Sequence, residues 1–494
     1  MSWTHIRYVD GVSSIVDLSD TLKLATAVAL ASALSLTALT AAAQEPSLDA
    51  PDAPDVPDAP APASAPASAP APANLPEVTQ PAVELPAATE PSRLLEHPAI
   101  VTITDHGGAA ITSNDGAYEL RLRAVIQTDL RLFVNDEHKL TDQFLFRRAR
   151  PYLEGKIARV VTWRIMPDFA EGKAVLYDAW VDVRATDALR LRVGKAKAPF
   201  GLERLVNETA TTLGERAYPT ALSPNRDLGV ELHGDLFGGV LSYSVGVYNG
   251  VPDNALSDGD QDDSKEVVAR LEVGPFARTG VKAIRGLRVG FAATRGEKTG
   301  TIASPYLTGY KTFGQNTFFS FLADGAAGAP PANTTLAAGL HARETAQLYW
   351  PIGPVALFGE IVVTDERVAR AGQSKLLRNV AWNGMASIVL TGEDATLNGP
   401  TPRHPLDVDA GHFGAVELAV RATELHVDNQ TFPQFADDTK VARDAVELAA
   451  GLNWYPLPQL KIVADFARTT FEGGAAHTSR DAEELFLLRT QLAF

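Results

Sequence analysis

The sequence predicts an all-β protein, a sixteen-stranded antiparallel transmembrane β-barrel, and three observations carry that expectation. Residues 118–134, YELRLRAVIQTDLRLFV, set Tyr118, Leu120, Leu122, Ala124, Ile126, Thr128, Leu130, Leu132 and Val134 on one parity and mostly Glu119, Arg121, Arg123, Gln127, Asp129 and Arg131 on the other. This is the period-2 pattern of a long strand with one apolar and one ionic face. A strand in a soluble sheet runs to about 5–6 residues and one that crosses a bilayer needs about 9–11, so the length favours the membrane. Second, similar segments recur to the end of the chain, with tight turns after the even-numbered ones and the longest connections after odd-numbered ones, as in outer-membrane barrels. Third, the chain closes on EELFLLRTQLAF, with Phe486, Leu488, Leu492 and Phe494 opposite Arg489 and Gln491. A barrel needs such a last strand to pair with its first so that no edge remains.

Composition narrows the function classes. None of the 494 residues is cysteine, which excludes a disulfide scaffold, thiolate metal ligands and a cysteine nucleophile. Hydrophobic residues make up 45%, yet after residue 43 no run of about 20 apolar residues offers a spanning helix. The 38 glycines and 32 prolines favour turns. The net charge of −16 hides an asymmetry: residues 1–98 hold twelve acidic and three basic side chains, whereas residues 118–216 hold eighteen basic and fourteen acidic. An acidic total argues against nucleic acid as a partner.

Taken in order, residues 23–43 (KLATAVALASALSLTALTAAA) form a lysine followed by an apolar run that ends in small residues, and Ala41-Ala42-Ala43 has the form of a signal-peptidase site. Residues 1–43 are therefore expected to be a signal peptide, with the mature chain starting near Gln44. Residues 44–98 contain APDAPDVPDAPAPASAPASAPAPA, a Pro/Ala/Asp tract too poor in apolar residues to bury a core; it is expected to be an extended, disordered periplasmic linker. Residues 99–494 form the barrel domain, with strands expected at about 118–134, 143–157, 159–170, 174–186, 189–197, 227–237, 239–250, 264–273, 286–296, 341–351, 354–365, 378–393, 411–429, 441–455, 458–472 and 483–494. The connections after the eighth and twelfth are longer than the tight-turn rule asks.

No G-x-S-x-G, H-E-x-x-H or G-x-x-x-x-G-K-[ST] motif occurs, so nothing points to an enzyme or a cofactor. Residues 258–263 (DGDQDD) resemble half a calcium loop, but Ala269 stands where the twelfth-position glutamate belongs, which leaves a solvated extracellular loop suited to bridging divalent ions to lipopolysaccharide and assigns no metal site. The basic residues are more informative. Arg121, Arg123 and Arg131 share one face of the first strand. Arg147, Arg148 and Arg150 crowd the second. Arg164 lies on the polar face of the third, and Arg190 and Arg192 alternate with Leu189, Leu191 and Val193. Guanidinium groups along a water-filled wall lower the barrier for an anion, and their planar fork suits phosphate. Pairing with Glu119, Asp129, Asp178, Asp182 and Glu231 would instead make them struts of the wall.

FLFRRARPYLEG at 144–155, MPDF at 166–169, VGKAKAPFGLER at 193–204, SPNRDLGVELHG at 223–234, LTGED at 390–394, GLNWY at 451–455 and the closing QLAF resemble, in order, the phosphate-selective porin O and P family. The resemblance covers about residues 99–494. It implies a homotrimeric channel in the bacterial outer membrane, embedded in lipid and lipopolysaccharide, with the third long loop (here 199–226) folded inward as a constriction. It further implies an anion-binding constriction that falls on Lys195, Lys197 and Asp168, with Arg204 and Arg216, within the loop itself, as weaker candidates. Lys195 and Lys197 share parity with the lipid-facing Leu191 and Val193, so a bulge or the strand's end must turn them inward. The expected function is passive diffusion of small anions, phosphate or polyphosphate. The alternatives are a general porin with weak anion preference, or an exported structural or adhesive barrel using residues 297–340, whose aromatic side chains suit capping a pore or binding a partner.

Overall fold

The structure, a computed structural model, describes residues 100–104, 108–134, 139–323, 334–475 and 478–494. The expected signal peptide and linker lie outside the described residues. The strands are β1 (Ile100–Thr104), β2 (Gly108–Thr112), β3 (Glu119–Val134), β4 (Gln143–Ile157), β5 (Val161–Asp168), β6 (Val175–Thr186), β7 (Leu189–Lys197), β8 (Arg226–Leu236), β9 (Leu241–Tyr248), β10 (Glu266–Val273), β11 (Arg288–Thr299), β12 (Tyr310–Lys311), β13 (Thr317–Phe319), β14 (Leu336–Ile352), β15 (Val355–Arg370), β16 (Gln373–Val389), β17 (Ala415–His426), β18 (Ala442–Leu457), β19 (Leu460–Ala475), β20 (Thr478–Ser479) and β21 (Glu483–Ala493). Sixteen of them, β3–β11, β14–β19 and β21, pair in succession and always antiparallel. The last, β21, pairs with the first, β3, from Glu484↔Val134 to Ala493↔Val125. The sheet closes, and every wall strand has a partner on both sides. At the base, β2 takes up Glu119–Leu122 of β3, beyond the reach of β21.

The wall is inside-out relative to a soluble sandwich. Val420 and Leu448 are 53% and 60% exposed on the outer face, while Thr423, Glu447 and Asp465 are buried inside. On β3, Leu120, Leu122 and Ile126 point outward, and Gln127, Asp129 and Arg131 inward. Arg131 does not meet open water as its parity alone suggests: it is buried against Asp129 and Glu215. The sixteen expected segments correspond to the sixteen wall strands. One rim carries the tight connections 158–160, 187–188, 237–240, 353–354 and 458–459, and also the long 274–287 and 390–414. On the other rim the sequence expects a loop over 366–377, but β15 and β16 run on to a two-residue turn. Ala371 (φ 50°) and Gly372 (φ 75°) both take the left-handed conformation that the tightest hairpins require.

Two connections fill the interior. Residues 198–225 leave β7 and run inside the barrel. Leu202 and Glu203 donate backbone N–H groups to Glu360 of β15, Gly214 donates to Asp465 of β19, and the Asn453 amide of β18 donates to Thr212 O. Residues 300–323 bring in the β12–β13 hairpin, whose Tyr310 and Phe319 stack at 5.3 Å while Phe318 meets Tyr218 edge-on at 5.7 Å. The aromatic residues that the sequence suggests as a cap are thus buried within the barrel, with Phe432 and Phe471 against them.

Candidate functional site

Two β-bulges on neighbouring hairpins build the site. Along β4 the pairing slips between Arg148↔Gln127 and Phe146↔Thr128, which leaves Arg147 as an extra residue. Phe144 and Phe146, 78% and 61% exposed, face outward, yet Arg148 and Arg150 of the same parity are buried inside. The extra residue reverses the parity, so Arg147, Arg148 and Arg150 all face the lumen. On β6 the slip between Met166↔Asp178 and Pro167↔Leu176 does the same for Tyr177 and Asp178. The Tyr177 ring then carries the Arg150 and Arg226 guanidinium groups at 4.0 and 4.7 Å from its centroid, within cation–π range.

Facing this wall, residues 198–225 supply two carboxylates that anchor the loop. Glu215 accepts from Arg147 at 2.7 Å, Arg489 at 2.9 Å and Arg131 at 3.0 Å. Glu208 accepts from Arg226 at 2.9 Å and lies 3.5 Å from Arg150 and from Lys197. Burial by itself raises the Glu208 carboxyl, but Arg226, Lys197, Arg216 and Arg150 together hold it well below the usual carboxylate range. Against the same opposing burial, Arg147, Arg489 and Arg131 do this for Glu215. Both anchors stay ionised.

Between wall and loop lies a cavity of about 260 Å³, lined by Arg147, Arg148, Arg150, Arg204, Arg216, Arg226 and Lys311 against only Glu208 and Glu215. That volume is far more than a single water needs and leaves room for a small hydrated anion. Among the described residues Arg148, Arg204 and Lys311 form no ion pair. Arg148 donates to the Gln127 amide oxygen, and Arg204 to Thr220 O and the Asn254 amide oxygen at 2.5 Å. The Nε atoms of Arg148 and Arg204 are buried without a hydrogen-bond partner. Burial, with Arg216 and Arg226 close by, presses Arg204 down to about 9, still charged at neutral pH.

Of the constriction residues expected from sequence, Arg204 lines this cavity and Asp168 sits behind it, bound to Arg150 at 2.7 Å and to the backbone N–H groups of Ala149 and Ala170. Lys197, at the strand's end, reaches into the loop and donates to Val206 O at 2.8 Å. Lys195, one pair earlier, is buried against Asp258. The recorded contacts therefore bring neither lysine to Asp168. Below the cavity the expected arginines run as alternating charges. Arg121 meets Glu119 at 2.7 Å, Arg123 and Arg164 share Glu154 at 3.2 and 2.7 Å, Arg192 meets Asp182 at 3.0 Å, and Arg190 meets Asp187 at 3.1 Å. Arg164 and Arg192 also stack on Trp180. Sequence reasoning missed Arg226, Lys311 and both anchoring glutamates. Arg226 stands within the SPNRDLGVELHG motif, whereas no local pattern marks Lys311.

The family profile described as phosphate-selective porin O and P matches residues 119–308 and 345–494. No curated protein matches the chain. Similar solved structures include the outer membrane channel DcaP of Acinetobacter baumannii, 9% identical, covering 78% of this chain and 99% of that one with a TM-score of 0.49. OmpF of Salmonella typhi, in complex with daunomycin, is 11% identical over 76% of this chain and 98% of its own, with a TM-score of 0.48. A trimeric form of Vibrio cholerae OmpT is 10% identical over 76% and 100%, with a TM-score of 0.44. Since the profile spans well over half of the chain, and the sixteen strands it threads close into a lipid-facing barrel, the protein belongs to the phosphate-selective porin O and P family and is a channel of the bacterial outer membrane.

Proposed function

We propose that this channel favours small anions and that phosphate lodges in the cavity between β4 and the inward loop, which acts as the constriction. One observation carries the reading: seven basic and two acidic side chains line the cavity, and three of the cations, Arg148, Arg204 and Lys311, are left without a carboxylate. For the two that are buried, Arg148 and Arg204, an anion entering from water supplies the missing counter-charge. Lys195, Lys197 and Asp168 become supports rather than the anion site itself: Lys197 holds the loop and Asp168 orients Arg150. The paired arginines lower in the barrel guide the anion without trapping it, because each already shares its charge with an acid. The assembly we infer is the homotrimer that the family resemblance implies, set in lipid and lipopolysaccharide.

The test is a planar bilayer experiment on Arg148→Gln combined with Arg204→Gln. The chloride-over-potassium permeability ratio, read from reversal potentials, should fall in the double variant, and added phosphate should no longer block chloride current. Wild-type selectivity in the double variant overturns the site. Absence of phosphate block in the unmutated channel removes phosphate and leaves a general porin.

A further inference from the structure

Away from the basic cavity, Asp253 of the connection 249–265, His341 of β14 and Glu366 of β15 converge, all buried, with one ligating atom from each lying within 4.8 Å of the others. His341 Nε2 lies 3.2 Å from Asp253 Oδ1 and 3.9 Å from Glu366 Oε1. Neither ring nitrogen makes a hydrogen bond, although the side chain is wholly buried. A buried imidazole left this way has lost its water without gaining a partner, which is unfavourable. The surroundings do not balance in charge either. Asp253 and Glu266 both bind Arg343, at 2.8 and 2.5 Å, and Lys298 donates to Val251 O, which sets three carboxylates against two cations. Of the three, Glu366 has no lysine or arginine paired to it among the described residues, only His341 at 3.9 Å.

We propose that Asp253, His341 and Glu366 form a binding site for a divalent transition metal ion, zinc being the ion that fits best. Ligand atoms at bonds of about 2.0–2.1 Å in a tetrahedral site stand roughly 3.3–3.5 Å apart, close to the spacing already present. The ion takes the unused Nε2 lone pair, the two carboxylates and one water. One nitrogen and two carboxylates suit zinc, whereas calcium asks for about 6–8 oxygens. Nδ1 lacks the outer hydrogen bond that usually braces a ligating histidine, a loss of about 10–100-fold in affinity. His341 and Arg343 lie in residues 309–344, the stretch that the family profile skips, whereas Asp253 and Glu366 lie within the matched residues. Bound metal stakes the 249–265 connection to the wall. Because Asn254 lines the basic cavity and binds Arg204, occupancy also fixes one edge of the anion path; this consequence, unlike metal binding itself, rests on the proposed function.

The test uses the full chain purified in detergent, stripped with a chelator, and titrated with zinc by calorimetry and elemental analysis. One zinc per chain is expected, with affinity falling at least tenfold in His341→Gln and in Glu366→Gln, and unchanged in Asp409→Asn, which removes an exposed acid of the 390–414 connection on the opposite rim. No retained zinc in the unmutated protein, or equal uptake by the two ligand variants, overturns the site. Should either variant fail to fold, cobalt loading of the unmutated protein decides: an intense four-coordinate visible spectrum supports the site, and a weak six-coordinate one or none overturns it. None of these readouts depends on ion selectivity.

Discussion

Arg148 and Arg204 hold their charge against neutral partners, which makes them sensitive reporters of what passes. A unit charge about 6 Å from an anion contributes between about 0.7 and 3 kcal/mol as the effective dielectric falls from 80 to 20. Each single change to glutamine should therefore lower the anion-over-cation permeability ratio by roughly threefold or more, measured from reversal potentials in bilayers. Lys195→Gln should change it far less, because Asp258 already matches that ammonium. The anchors set the pH range. Glu208 and Glu215 are held well below their ordinary values, so their contribution is fully present above the unfolded carboxylate range and is lost only as pH falls through the depressed native value. The permeability ratio should stay constant between pH 7 and about pH 5; a drop between pH 6 and 5 contradicts the anchoring. At this scale the sequence was partly legible. The basic run at 147–150 and Arg204 stood out from spacing and resemblance. Glu215 and Glu208, which pair with Arg147 and Arg150, did not, since contacts across the lumen between residues tens of positions apart leave no local pattern.

The strands were the most legible elements, because a wall between lipid and water forces strict alternation on every segment that crosses it. Leu488 shows how strongly: it lies midway along β21, faces outward, and pairs with Leu130 and Ala464. Leu488→Arg should destabilise the barrel by about 2–4 kcal/mol if it sits at the midplane, read as a lower urea midpoint for the heat-modifiable barrel band on gels, whereas Arg489, on the inner face, is already ionised and paired with Asp129. The bulges escaped the pattern. Alternation from Phe144 predicts Arg147 inward with Arg148 and Arg150 outward, and only the slip opposite Gln127 brings all three inside. The 366–377 loop was misplaced for a related reason. In β15 and β16 beyond the expected ends the strict alternation lapses, with Glu366 beside Arg367, Val368 beside Ala369 and Leu376 beside Leu377, which reads as loop although the ladder continues from Asp365↔Arg378 to Arg370↔Gln373.

For the whole molecule, the barrel and its filling are separable. The wall ladder closes without β12 and β13, which pair only with each other, and the hairpin falls in the segment that the family profile skips. Inside, Tyr310, Phe318 and Phe319 join Tyr218, Phe432 and Phe471 in an apolar mass that occupies lumen and borders the basic cavity at Tyr218. The same hairpin contributes Lys311, Thr312 and Gln315 to the cavity itself. On the proposed reading it narrows the passage and confines it to the charged side. Replacing residues 309–322 with a short Gly/Ser link should leave assembly intact but raise single-channel conductance. The anion preference should weaken without vanishing, because Lys311 is lost while Arg148 and Arg204 remain. Thermal stability should fall as well, since each large aromatic side chain returned to water forfeits about 1.5–3 kcal/mol. Single-channel recording of the shortened chain checks this directly. Conductance equal to that of the full chain would mean that the ion path already bypasses the hairpin, and the narrowing would then belong to residues 198–225 alone.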